Sequence, residues 1–307
     1  MSSVITRIPF RRASAEDLPL LTPYIDAAPY KTCDFTRTVF FLWRDFYRMD
    51  FAIEDGTLYS RLYAPEWLTD GSSDPAYQNL PLGGDFKKAC LRIREDCRAG
   101  EHVCRFCTVP EEVVPVLREI FGEVKVEEQR DFFDYVYDYD ALVTVGGKKL
   151  AGQRNHIHQF ERSFPDAEYT RIAENDVPAL LAFFDRYAHS GTLTDPSAIA
   201  EAALMPEVLT HMDLYGLVGG VLRVGGEIVG FSLGDVRDDW LTVHVEKADN
   251  AFRGAYPVLV RNFCRLFEGQ GIRFVNREDD MGDEGLRYSK TSWHPSQMLR
   301  KYIVTLP

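Results

Sequence analysis

Apolar positions along the chain fall into two alternating rhythms. FAIEDGTLYSRLY from Phe51 and LRVGGEIVGFSLG from Leu222 are each two alternating apolar runs around an Asp-Gly or Gly-Gly pair, which predicts a hairpin of two paired strands. Further on, PLGGDFKKACLRIREDC and AFRGAYPVLVRNFCRLF occupy matching places, with Gly84 and Gly254 each opening an amphipathic helix. Ahead of each hairpin the pattern R-x-x-x-x-D-[LV]-P-x-L begins, at Arg12 and at Arg171. It predicts a helix start. Ser14 with Asp17 forms a capping box, Asp176 falls in a first turn, and Pro19 and Pro178 are tolerable only that early in a helix.

Strand, helix, hairpin, further strand and helix therefore run twice. The offset between copies grows from 159 residues, Arg12 to Arg171, to 170, Gly84 to Gly254. The second copy thus carries an insertion, placed in AHSGTLTDPSAIAEAALMPEVL. A period this long means duplicated domains and not a solenoid. After the second helix, GIRFVNREDDMGDEGLRYSKTSWHPSQMLRKYIVTL predicts strand, polar loop, short helix, turn and terminal strand, and EHVCRFCTVPEEVVPVLREIFGEVKVEEQRDFFDYVYD follows a comparable course. The expected fold class is α+β, with two tandem domains of mixed, mostly antiparallel sheet flanked by helices. They span residues 1–145 and 166–307, joined over 146–165 by a basic linker helix with Leu150, Ile157, Phe160 and Phe164 on its apolar stripe.

Length and charge sharpen this picture. A chain of 307 residues with 45% hydrophobic content is ample for two packed cores. No stretch approaches the roughly 20 apolar residues of a membrane span, and the start has no apolar leader, so the expected location is cytoplasmic. The net charge of -12 repels nucleic acid and anionic lipid unless basic residues gather locally. They gather at the joint. Lys148, Lys149, Arg154 and Arg162 stand against Glu161 alone, and with Asn155 in RNHIHQF they form a candidate RNA-binding surface; the alternative is a solvated interdomain helix. His156 and His158, two apart on a helix, do not face one another. Cys90 and Cys97 fit a buried helical stripe, and alternation sends Cys104 and Cys107 to opposite faces of a strand, so buried thiols are expected and no metal.

The strand order, the hairpins and the FRG turn before a helix resemble the acyl-CoA N-acyltransferase (GNAT) fold. GKKLAGQRNHIHQF, HVEKADNAFRGAY and NREDDMGDEGLRYSKTSWHP together are similar to signature stretches of the phosphatidylglycerol lysyltransferase C-terminal domain family, over nearly the whole chain. The resemblance implies two GNAT-like domains with the chemistry in the second. It also implies aminoacyl transfer from aminoacyl-tRNA, to a lipid in characterised relatives or to a peptidoglycan precursor in related Fem-type enzymes. Those lysyltransferases carry a large transmembrane portion ahead of this unit and the present sequence has none, so a small-molecule or peptide acceptor stands beside a lipid.

GNAT enzymes commonly show R-G-x-G-x-G after the fourth strand, where backbone N–H groups close on the pyrophosphate of coenzyme A. Here the run is RGAYPV: Arg253 and Gly254 persist, Tyr256 and Val258 replace the later glycines, and Pro257 removes a donor. Coenzyme A is disfavoured and no cofactor is expected, while Arg253, Gly254 and Tyr256 stay candidates for holding a phosphate of another ligand. In the first half Asp85 stands at this place, so that domain is read as structural or as docking the acceptor. An aminoacyl ester arrives activated, so the enzyme has to position two substrates, take a proton and stabilise an oxyanion. FVNREDD, ending the apolar strand IRFV, offers the groups: Glu278 or Asp279 as base, Arg277 and Lys290 as anion binders, Asn276 beside them. Alternation in TVHVEKAD puts Thr242, His244 and Glu246 on one face and Val243, Val245 and Lys247 on the other. Glu246 is expected in the cleft or paired with Arg253, and His244 is either a proton shuttle or a hydrogen-bonded core residue. With no G-x-S-x-G or H-E-x-x-H motif, the reading is direct transfer without metal or covalent intermediate. Two alternatives stay open: an acyl-CoA-dependent N-acyltransferase with a loosened turn, and a non-catalytic binding protein on the same fold.

Overall fold

The computed structural model describes residues 7–63, 76–190 and 196–307. The chain forms two compact units, Met1–Phe133 with Leu299–Pro307, and Asp134–Met298.

The first unit begins with β1 (Arg11–Arg12) and a 3-10 turn into α1 (Leu18–Asp26), then α2 (Arg37–Leu42). Asp17 makes the helix start: its carboxylate accepts the Ser14 N–H at 2.9 Å and the Arg11 guanidinium at 2.9 Å. The hairpin follows as β2 (Asp50–Glu54) and β3 (Thr57–Tyr63), turning through Asp55 and Gly56, both with positive φ (48° and 72°), the geometry that suits the twist of paired strands. Then come β4 (Ala76–Gln78), β5 (Leu82–Gly83), α3 (Phe86–Ala99), β6 (Arg105–Pro110), α4 (Val114–Phe121) and β7 (Lys125–Glu128). Asp85 caps α3, its side chain accepting from the Lys88 N–H at 3.0 Å. The sheet runs β1-β2-β3-β4-β6, and the place between β6 and β7 is taken by the last strand of the chain, Lys301–Thr305 (β15 in chain order). Lys301 is fully buried there, its ammonium 2.6 Å from Asp34 and 3.3 Å from the Cys33 sulfur.

The second unit contains β8 (Asp134–Asp138), α5 (Tyr139–Thr144), α6 (Ala151–Ser163), β9 (Glu168–Arg171), α7 (Val177–Ala188), α8 (Pro196–Thr210) and β10 (Val218–Val224). It continues with β11 (Glu227–Arg237), β12 (Trp240–Ala248), α9 (Ala255–Arg265), β13 (Phe274–Asn276), α10 (Glu284–Thr291) and β14 (Gln297–Leu299). Its sheet runs β14-β8-β13-β12-β11-β10-β9. Asp176 repeats the device of Asp17, accepting the Ala173 N–H at 2.9 Å and pairing with Arg223 at 2.6 Å. One core joins α5, α6 and α9 to the sheet through Leu142, Ile157, Phe160, Leu241, Val243 and Phe263. On another side of the unit Phe183 and Phe184 of α7 set their rings against Phe231 of β11, at 6.0 and 6.3 Å between centroids.

The α+β class, the doubled hairpins and the doubled helix starts are as the sequence predicts. The insertion coincides with α8, 15 residues long where α2 has 6; residues 191–195 of that stretch lie outside the described ones. The boundaries differ from the sequence reading. Each sheet takes one strand from the opposite half of the sequence: β8 pairs with β13 (Val136 opposite Asn276), and β15 pairs with β6 and β7. The units therefore divide at 133/134 and 298/299 and not within 146–165. The helix read as a linker is α6, an integral part of the second unit with Ile157 and Phe160 buried. Among the described residues no helix is long and apolar enough to cross a membrane. All six cysteines are buried thiols outside any disulfide, and burial pushes Cys90 and Cys107 up to about 12.

Candidate active site

In the second unit β12 and β13 run parallel, but only briefly. Their register holds from Trp240 opposite Phe274 to Thr242 opposite Asn276 and then stops. Beyond that point the chain after Asn276 stays with β8, through the Arg277 N–H to the Tyr135 carbonyl (2.9 Å) and the Tyr135 N–H to the Glu278 carbonyl (3.0 Å). Strand β12 instead follows β11 to Ala248. Two adjacent strands that part in this way leave side chains to bridge the gap.

A bulge in β12 sets which side chains these are. Leu233 pairs with Val245 and Gly234 with Val243, so His244 is an extra residue without a partner in β11. Gly234 permits this, since a Cβ there would run into the Thr242 carbonyl. The extra residue breaks the alternation expected for TVHVEKAD. Glu246 no longer shares a face with Thr242 and His244; Lys247 does, and pairs with Glu201 of α8 at 2.9 Å.

His244 is 1% exposed at its side chain, with Nε2 2.6 Å from Asp235 Oδ2 and Nδ1 2.6 Å from Glu278 Oε1. Burial alone lowers the pKa of such a ring, but the two carboxylates outweigh it and raise the imidazole to about 10. Both nitrogens then donate, and His244 is an imidazolium at neutral pH. A charged ring has no lone pair to take a proton, so the shuttle role expected for it does not fit. Both carboxylates of this trio are partly exposed, Glu278 at 22% of its side chain and Asp235 at 17%. The backbone of Glu278 is left-handed (φ 57°), fixed by its N–H donating to the Asn276 side-chain oxygen at 2.8 Å. That turn aims Glu278 back across the gap at His244.

A second bridge spans the same gap. Arg277 donates to Glu246 at 2.5 Å, and both side chains are largely buried. The guanidinium lies 5.7 Å from the Tyr137 ring and 5.9 Å from Trp293. Glu246 thus pairs with Arg277 and not with Arg253.

The other predicted residues of this stretch hold the loop together. Lys290 donates to the carbonyls of Arg277 (2.6 Å) and Asp279, while Asp279 accepts from the Met281 N–H at 3.2 Å. Asn276 is fully buried and donates to Asp134 at 2.8 Å. Asp280 is buried too; although burial raises a carboxyl, Arg287 and the Tyr135 hydroxyl outweigh it and keep this one below the usual range.

The turn before α9 packs against α6 at Gly254. Gly254 is left-handed (φ 92°), and a Cβ there would lie 2.6 Å from the His156 carbonyl oxygen and 3.1 Å from the Phe160 Cβ. Its lack of a side chain admits the backbone of α6. Arg253 is exposed, and Tyr256, 36% exposed, shares a hydroxyl contact with Tyr187. Beside it lies a cleft of about 340 Å³ lined by Phe183, Arg186, Tyr187, Ser190 and Ala248–Asn250. Lys148, Lys149 and Asn155 are exposed, whereas Arg154 donates to the carbonyls of Val145 (2.6 Å) and Gly147 (3.0 Å) beyond α5. Asp235 and the pairing of Lys247 escape the sequence reading; an acid in the apolar run FSLGDV is the available signal.

Residues 27–305 match the family described as phosphatidylglycerol lysyltransferase, C-terminal. The chain belongs to that family. Each unit carries a mixed sheet flanked by helices, the α+β class the sequence predicts. A conserved protein of unknown function from Bacteroides thetaiotaomicron is 30% identical, with 98% of this chain and 100% of that one aligned at a TM-score of 0.82. The C-terminal domain of a putative lysylphosphatidylglycerol synthetase from Agrobacterium fabrum is 15% identical over 95% of this chain and 92% of that one, TM-score 0.66, a likeness of fold. An uncharacterised protein of Mycoplasmoides gallisepticum is 27% identical over 173 residues, 56% of this chain and 55% of that protein. The match thus spans about half the length of that relative.

Proposed function

We propose that the second unit is an aminoacyltransferase, moving an aminoacyl group directly from an aminoacyl-tRNA to an amine or hydroxyl of a lipid or peptide acceptor. Family membership supports the reaction class, and the related domain from Agrobacterium fabrum carries a lysylphosphatidylglycerol synthetase name. The observation that carries the choice of donor is the packed turn. Gly254 gives its Cβ side to the His156 carbonyl of α6, and Tyr256, Pro257 and Val258 follow it where a GNAT enzyme would continue with glycines around a coenzyme A pyrophosphate.

The chemistry follows from the bridged gap between β12 and β13. The acceptor attacks the ester carbonyl and gives up its proton to Glu278, a partly exposed carboxylate on the loop after β13. The C–O bond to the terminal ribose then breaks, and that oxygen takes the proton back from Glu278. Asp235 and His244 act as positioning residues: the buried imidazolium holds Glu278 in place. Arg277 brings positive charge to the parting strands, where the oxyanion develops, and Glu246 orients it. Asn276 and Lys290 fix the loop that carries both. Arg253 and Tyr256 border the entrance for the donor.

Incubation with a mixture of charged tRNAs and, separately, with acetyl-CoA divides the donors. The proposal expects release or transfer of the amino acid and no consumption of acetyl-CoA. Turnover of acetyl-CoA, with charged tRNA left intact, overturns it.

A further inference from the structure

Helix α6 has an outer face that the proposed reaction does not use. Lys148 and Lys149 are exposed in the turn that enters α6 and Arg162 near its C-terminal end, as is Arg253 in the turn packed against the helix. None of the four side chains has an ion pair or hydrogen bond among the described residues, in a chain whose net charge is -12. The one acid on the helix, Glu161, is paired with Arg261 at 2.8 Å. Contact of Gly254 with His156, and of the Phe252 and Phe164 rings at 5.1 Å, sets Arg253 alongside the later half of α6. At 1.5 Å per residue the 13-residue helix is about 20 Å long, enough to follow several consecutive phosphates. Strand β12, which carries His244, runs directly into this turn.

We propose that this face of α6 is where the double-stranded stem of the donor RNA lies, an assignment that rests on the aminoacyl-tRNA reading above. The chemistry favours RNA over an anionic membrane. The apolar stripe of α6 is turned into the core at Ile157 and Phe160, and no strongly exposed large apolar side chain lies on the helix to enter a bilayer. Asn155 and His156, both exposed, add hydrogen-bonding groups suited to ribose and phosphate.

The test is binding of uncharged tRNA by the full chain across a salt series, for wild type and for the triple variant Lys148→Gln, Lys149→Gln, Arg162→Gln. Each phosphate contact contributes about 0.7–0.9 to the slope of log affinity against log salt. The triple variant should therefore flatten the slope by about 2–3. Its kcat/KM with full-length charged tRNA should fall at least about tenfold, while transfer from a short 3′-aminoacylated nucleotide, which has no stem, stays unchanged. An unaltered slope in the variant overturns the surface, as does loss of binding to phosphatidylglycerol vesicles with tRNA binding intact. A wild-type protein that binds tRNA with the expected slope but transfers from neither donor overturns the proposed function and leaves the surface standing.

Discussion

The charge of His244 is the sharpest physical prediction. Its ring is raised from an ordinary 6.5 to about 10 by Asp235 and Glu278, against a burial cost that acts in the opposite direction. A group whose folded pKa exceeds its unfolded one contributes stability that is complete below the unfolded value and disappears as pH climbs through the folded value. Between these two limits the unfolding free energy should decline by roughly 1.4 kcal/mol for each pH unit crossed, on the order of 3 kcal/mol from pH 6 to pH 9. Nitrogen-detected NMR of the histidine rings reads the cause directly. Both nitrogens of one buried ring should remain protonated at pH 8, and Asp235→Asn should lower that ring's pKa by at least about one unit. A His244 ring that titrates near 6.5, or a neutral tautomer at pH 7, refutes the reasoning.

Other consequences are structural. Gly254→Ala places a methyl 2.6 Å from the His156 carbonyl in a left-handed backbone, so a loss of about 2–3 kcal/mol is expected in thermal or urea unfolding; an unchanged midpoint contradicts the packed turn. Lys301→Met strips a fully buried ammonium from Asp34 and should cost about 3–5 kcal/mol in urea unfolding, most of it recovered by adding Asp34→Asn; a loss under about 1 kcal/mol argues against the ion pair.

How much of this was legible in the sequence depended on range. The hairpins and helix starts are local devices: Asp55-Gly56, Gly225-Gly226, Asp17 and Asp176 each specify their own turn, and each forms as written. The exchange of β8 and β15 was not legible, because the alternation of DYVYD or KYIVT shows that a strand forms but not which sheet receives it. The segment NREDD was recognisable as chemistry-bearing, yet its division of labour was hidden. Lys290 reaches back to backbone carbonyls and Asp280 turns inward to Arg287, and neither follows from spacing. In β12 a single extra residue reversed the face of Glu246 and Lys247, and the sign of it lay in the neighbouring strand, at Gly234. Gly254 was legible as a special turn, although the helix packed on its Cβ side was not.

The central claim is that the carboxylate bridging the parted strands takes the acceptor's proton. Single-turnover transfer from charged tRNA with Glu278→Gln tests it most directly, with donor binding and thermal midpoint measured on the same samples. The account predicts a fall of at least about a hundredfold in the transfer rate with donor affinity retained. A folded Glu278→Gln protein that transfers within about threefold of wild type contradicts it.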